Sequence, residues 1–383
     1  MIPKTYLQVC GFGRASQLMC LAYTLVGLCC LPCLLMAQEG SASPGQLMFE
    51  RRLPASALRE RPVVLKPTPL LTFTDESHLA AAYVSRDRTG LTTRQEPAYS
   101  LRVLMLDNRG QQIAEGAFPT QTTSTRGLFA GGSGKLLIFA NGRLDLVSDE
   151  FKSEKNVTLS DGAQRRVTIL PSGDRQTILT VKHEGAASLA DLWNTESLEK
   201  ISSCKLAGTW EIPNSLLNDQ GARLLPDTAS DPETREVAVG KVCGERNVIY
   251  SWHGNPEFPA IVTAKTIVLA GDYSHFRIIH VGEGAVKEEH FGKHDFVDAE
   301  IRRSADGAIF AVAIKKFSGG SSFFDISPHL SGLRIVVFKS QGLSRIAEIR
   351  VPDTPKNRFD FAVSPKGSRI AILTDDYLQV FSL

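Results

Sequence analysis

The chain has 383 residues, 43% hydrophobic and 22% charged, enough to bury a large core without metals or dense disulfides. Lys4 and Arg14 carry the whole formal net charge of +2, because the rest of the chain balances 41 bases against 41 acids. A neutral body without basic clusters lacks the electrostatic footprint of a nucleic-acid binder, so no nucleic-acid partner is expected.

Lys4 and Arg14 precede Leu18–Ala37, a stretch without charge that Pro32 interrupts shortly before a small-residue exit at Ala37. Residues 1–37 therefore read as a signal peptide, and the mature chain is expected to be exported to the periplasm or beyond the cell. Twenty apolar residues also suffice to span a bilayer, so an uncleaved inner-membrane signal anchor is the alternative. No later stretch is apolar enough to span, and the mature chain is expected to be a monomer without a membrane crossing. Five of the seven cysteines fall in the leader. Cys204 and Cys243 remain, a candidate disulfide in an oxidising compartment, with two separate buried thiols as the other reading.

Residues 38–46 (QEGSASPGQ) form a flexible linker, and 47–383 form one domain. Leu47–Leu53 is a lone strand with Leu47, Phe49 and Leu53 on one face. From there on, apolar runs rich in Val, Ile, Leu and Phe alternate with Gly, Asp, Asn, Ser and Pro clusters, a strand-and-turn pattern without long amphipathic helices. A turn leading straight into an apolar strand recurs at Thr74–Ala81, Gly131–Ile138, Pro171–Ile178, Asn218–Leu225, Ser304–Ala311 and Ser364–Ala371. Glycine in fourth place suits the positive φ of a tight hairpin. If six intervals fill the 290 residues from Thr74 to Ser364, the mean period is about 48, a propeller-like spacing. A second series, including Leu101–Asp107, Ser188–Asn194, Phe276–Val281 and Leu333–Phe338, completes units of four antiparallel strands.

The Ser364-Pro-Lys-Gly367…Ile370-Ala371 element and Asp191-Leu-Trp193-Asn194 resemble divergent bacterial WD-repeat-like propellers, similar in style to quinoprotein-type propellers. The resemblance covers roughly 47–383 and departs from the pattern in lacking a Gly-His dipeptide. It implies an all-β propeller of seven four-stranded blades. Six or eight also fit, because the fifth unit, about 264–292, lacks one strand. The last unit supplies three strands, Phe359–Val363, Ile370–Thr374 and Leu378–Leu383. The N-terminal strand is expected to close the ring by pairing with this last blade, covering an edge that would otherwise invite aggregation.

No nucleophile elbow, phosphate loop, zinc-protease helix or dinucleotide fingerprint occurs, and no cofactor is expected. His290-Phe-Gly-Lys-His294 with Asp295 and Asp298 has i, i+4 spacing, but that spacing presents ligands together only on a helix. His275 and His280 are not expected to join that set. Without ligand clusters on the innermost strands, the chain reads as a non-enzymatic interaction module for an unidentified protein or glycan. The alternative is a propeller enzyme of lactonase, dehydrogenase or hydrolase type, with its site at the central channel. Two long loops, Ser85–Ser100 in the first unit and Lys316–Gly332 in the sixth, flank the short turn of the seventh. They are expected to wall a binding groove, Arg86, Arg88 and Arg94 on one side and Phe323, Phe324, Asp325 and His329 on the other.

Overall fold

The computed structural model describes residues 45–383 except 58–68, 87–98, 122–125, 161–166, 185–186, 226–232, 272–273, 319–328, 357 and 376. The expected leader and most of the linker lie outside the described residues. The first strand, β1 (Gln46–Arg52), begins one residue before the expected domain boundary. Blade one follows with β2 (Leu71–Phe73), β3 (Leu79–Arg86), β4 (Tyr99–Leu106) and β5 (Gln112–Thr120). Blade two has β6 (Gly127–Ala130), β7 (Leu136–Ala140), β8 (Arg143–Val147) and β9 (Ser153–Thr158). Blade three has β10 (Val167–Pro171), β11 (Thr177–Glu184), β12 (Ala187–Asn194) and β13 (Lys200–Leu206). Blade four has β14 (Ser215–Leu217), β15 (Gln220–Leu224), β16 (Thr234–Lys241) and β17 (Arg246–His253). Blade five has β18 (Phe258–Thr263), β19 (Thr266–Ala270), β20 (His275–His280) and β21 (Ala285–His290). Blade six has β22 (Asp295–Arg303), β23 (Ile309–Ser318), β24 (His329–Lys339) and β25 (Arg345–Val351). Blade seven has β26 (Asp360–Val363), β27 (Arg369–Leu373) and β28 (Tyr377–Ser382).

Each blade is an antiparallel sheet in chain order, and β1 adds to β28 as the outermost strand of blade seven. The fold is the expected all-β ring of seven four-stranded blades, closed by the N-terminal strand. The fifth blade is complete, contrary to the sequence reading. Pro259 disguises β18, yet proline is tolerated there because an innermost strand pairs on one side only.

The recurring turn works through its serine. Ser172, Ser304 and Ser364 each accept, through Oγ, the backbone N–H five residues on, at 2.9–3.1 Å, which fixes the start of the second strand. Their carbonyls accept the N–H three residues on, from Arg175, Gly307 and Gly367. Gly307 and Gly367 adopt φ near +73 and +72°, as the hairpin requires. Two expected registers shift. In blade three the turn is framed by Ser172 and not Pro171, so Arg175, at φ +66°, occupies the glycine place. In blade four Asn218 takes the positive φ, and Gly221 lies inside β15.

The core is a series of clusters wedged between neighbouring blades. Between blades five and six, the Phe276 ring meets Phe310 and Phe338 edge-on at 6.2 and 5.3 Å, and those two stack at 5.2 Å. Each such pair adds about 0.5–1.5 kcal/mol beyond area burial. Trp193 and Trp252 are buried, and Trp193 Nε1 donates to Thr180 Oγ1 at 2.9 Å. Blades three and four are also tied covalently, since Cys204 on β13 is bonded to Cys243 after β16, with Cα atoms 5.6 Å apart. Among the described residues, no helix is long and apolar enough to cross a membrane.

Candidate functional site

Seven inner strands surround a channel that holds a cavity of about 450 Å³, lined from every blade. Its walls are largely apolar, with Leu128, Phe129, Leu170, Leu216, Phe258 and Ile261 among the contributors. Blade six is the exception. In β22 three residues, Asp298, Ala299 and Glu300, stand opposite the single Ala313 of β23. Such an irregularity breaks the alternation of faces and re-aims side chains. Here Asp298, Glu300, Arg302 and Arg303 all line the cavity, with Lys315 of β23.

These charges are paired. Lys315 Nζ lies 2.5 Å from Asp298, and Arg302 Nη2 lies 2.6 Å from Glu300 and 3.1 Å from Asp360. Burial alone would lower the Arg302 pKa, but the carboxylates of Glu300 and Asp360 overcome it and hold the guanidinium more firmly protonated. Asp360 on β26 also accepts Leu70 N–H, Leu71 N–H and Phe361 N–H at 2.7–2.9 Å, which joins blades six, seven and one. Burial pushes the Asp360 carboxyl above its usual value, against the pull of Arg302 and of the Leu70 and Phe361 amides.

Two further arginines lie across the turn end of the channel. Arg175 of blade three donates from Nη1 to the Phe73 and Thr74 carbonyls at 2.8 and 3.3 Å, and from Nη2 to the Val363 carbonyl at 3.5 Å. Arg303 of blade six donates to the carbonyls of Ser304, Ala305 and Val262. It also rests against blade three, where a Cβ on Gly173 would fall 2.6 Å from Arg303 Nε. A side chain at Gly173 would have to displace the Arg303 guanidinium. The sequence reading missed this whole set: it expected no ligand clusters on the innermost strands, and it read Asp298 as part of a surface histidine motif.

The histidines also differ from expectation. His275 stands directly opposite His290 in the β20–β21 ladder, with ring centroids 5.6 Å apart. Spacing along one strand separates them, but hairpin register brings them together. Glu257, just before β18, lies 3.4 Å from His275 and 2.6 Å from Arg277. Burial pushes its carboxyl up to about 7 against the pull of Arg277. Asp295, from the same motif, is paired with Arg334 at 2.8 Å. Among the described residues, no group of three or more His, Cys, Asp or Glu could hold a metal ion.

Of the expected groove residues, Arg86 ends β3, exposed and opposite Tyr99, and His329 opens β24 opposite Ser318. Arg88, Arg94, Phe323, Phe324 and Asp325 lie outside the described residues. The stems beneath them are described. β3 has eight residues and β23 ten, against five in β27, all starting directly after equivalent turns. At about 3.3 Å per residue, the stems of blades one and six stand roughly 10 and 16 Å above the short turn of blade seven.

No protein-family model matches the chain, and no curated protein matches it significantly. Solved structures do. The chain is similar to the C-terminal WD40 domain of Sif2, with TM-score 0.52 and 13% identity over 90% of this chain and 99% of that one. It is similar to a chain of the mitotic checkpoint complex, with TM-score 0.53 and 13% identity over 90% and 94%. A chain in the S. cerevisiae complex of Dbp5 with Nup159, Gle1, IP6 and ADP gives TM-score 0.51 and 11% identity over 89% and 96%. At these identities the likeness concerns the backbone alone, and together with the seven closed sheets it gives this chain a seven-bladed β-propeller fold like that of the WD40 domain.

Proposed function

We propose that this propeller is an exported, non-catalytic interaction module that holds a protein or glycan partner in the groove above blade seven. The observation that carries the reading is the pair of tall hairpin stems on blades six and one flanking the short turn of blade seven. Loops raised on a rigid scaffold are where binding residues concentrate. Two of the similar propeller chains come from multiprotein complexes, which accords with a protein partner. The channel acids favour a scaffold over acid–base catalysis, because Asp298, Glu300 and Asp360 are each tied to a cation. Replacing Phe323 and Phe324 by Ala, and separately Arg88 and Arg94 by Ala, is expected to cut partner capture at least about tenfold, a loss of roughly 1.4 kcal/mol. If both variants fold and retain every partner that the parent chain captures, the groove is not the binding site.

Export is tested on the chain recovered from the periplasm or medium. Its N-terminus is expected at Gln38, and alkylation under denaturing conditions should find no free thiol at Cys204 or Cys243. Recovery of the intact Met1 form from the membrane fraction would favour a signal anchor. Free thiols at both cysteines would remove the disulfide from the reading.

A further inference from the structure

The two arginines at the turn end of the channel differ from every other charge in it. Lys315 and Arg302 each face a carboxylate, whereas Arg175 and Arg303, among the described residues, hydrogen-bond only to backbone carbonyls. The acids of the surrounding turns act on these arginines through space, while their direct hydrogen bonds go to other, neutral groups. Asp75 accepts from Ser77 N–H, His78 N–H and the His78 ring, and Glu76 binds Ser364, Lys366 and Ser368. Asp174 accepts Gln176 N–H, and Asp306 accepts Ser304 Oγ–H and Ala308 N–H. A guanidinium offers five N–H donors, so three carbonyl bonds leave two on each arginine. Both side chains line the cavity.

Arg175 and Arg303 are half-buried, and among the described residues no carboxylate is in contact with either; Glu76 and Asp75 act on Arg175, and Asp174 and Asp306 on Arg303, only at longer range. Burial pulls Arg175 down to about 10 against the opposing pull of Glu76 and Asp75, and burial lowers Arg303 against that of Asp174 and Asp306. The backbone carries a cost too. Arg175 sits at φ +66°, where blades six and seven place glycine, and a non-glycine residue in that region costs about 1 kcal/mol or more.

We propose that Arg175 and Arg303 form an anion site at the floor of the channel, and that the channel takes a small organic acid. Its carboxylate lies on the two guanidiniums, and its apolar body runs along Leu128, Leu170 and Leu216. The cavity of about 450 Å³ falls within the size range of small-molecule pockets, and a mostly apolar wall with a few convergent polar groups is their usual make-up. This site is separate from the groove above blade seven, and either can fail without the other.

The test is calorimetric titration of the folded chain with 4-phenylbutyrate and with its uncharged counterpart, 4-phenylbutyramide. The acid is expected to bind at least about tenfold more tightly than the amide, with affinity that weakens as salt is added. Arg303→Gln should bring the acid down to the level of the amide, and Arg303→Lys should restore part of the difference. Ala260→Phe, which fills the channel away from the floor, should abolish binding of both. Equal affinity for acid and amide, or no heat from either, overturns the proposal. So does full acid affinity in Ala260→Phe, a reading that stands even if Arg303→Gln fails to fold.

Discussion

Removal of residues 45–54 is expected to lower the melting temperature by roughly 10 °C, from a loss of about 5 kcal/mol. The loss has three physical parts. The β28 edge loses its ladder partner from Ser382 to Tyr377. Leu53, 3% exposed, leaves the core cluster that it shares with Leu70 and Val84. The Phe49 ring no longer covers the Gly110 turn of blade one, where Arg51 also donates to the Gly110 carbonyl at 3.0 Å. β1 thus joins blade seven to blade one as well as completing a sheet. Thermal melts of the shortened and complete chains decide the matter, and an unchanged midpoint would show that the ring does not depend on this strand.

Asp360→Ala is expected to cost about 3–5 kcal/mol, as a substitution that strands a buried cation does. It would strip the acceptor from Leu70 N–H, Leu71 N–H and Phe361 N–H and leave Arg302 to the Glu300 carboxylate. Asp360→Asn keeps an acceptor oxygen but loses the charge, and should cost about half as much. Urea unfolding followed by tryptophan fluorescence measures both. A cost below about 1 kcal/mol for the alanine variant would mean that the three-blade junction is held by packing, with the carboxylate incidental.

The ring was legible because its signals are local and repeated. Ser304-Ala-Asp-Gly307 and Ser364-Pro-Lys-Gly367 carry the same turn chemistry in the same register, and the lone strand at Leu47 had one open edge to fill. The channel was not legible, for three separate reasons. The irregularity at Asp298–Glu300 changes which face a side chain takes, and a period of two cannot foresee an insertion. Arg175 hides a turn because arginine stands where glycine is expected, which shifted the reading of blade three by one residue. His275 and His290 meet only through hairpin register, which neither residue's own strand reveals. The expected groove belongs to neither case, because most of its side chains lie outside the described residues.

Ring closure also sets a schedule for synthesis. Gln46 meets Ser382 across a separation of 336 residues, so β1 leaves the ribosome hundreds of residues before its partner exists. Nearest-neighbour blades can form as they emerge, but the ring cannot lock until β28 has been made. If the chain is exported as proposed, the latch would shut only after passage, on the side where cysteines can also be oxidised.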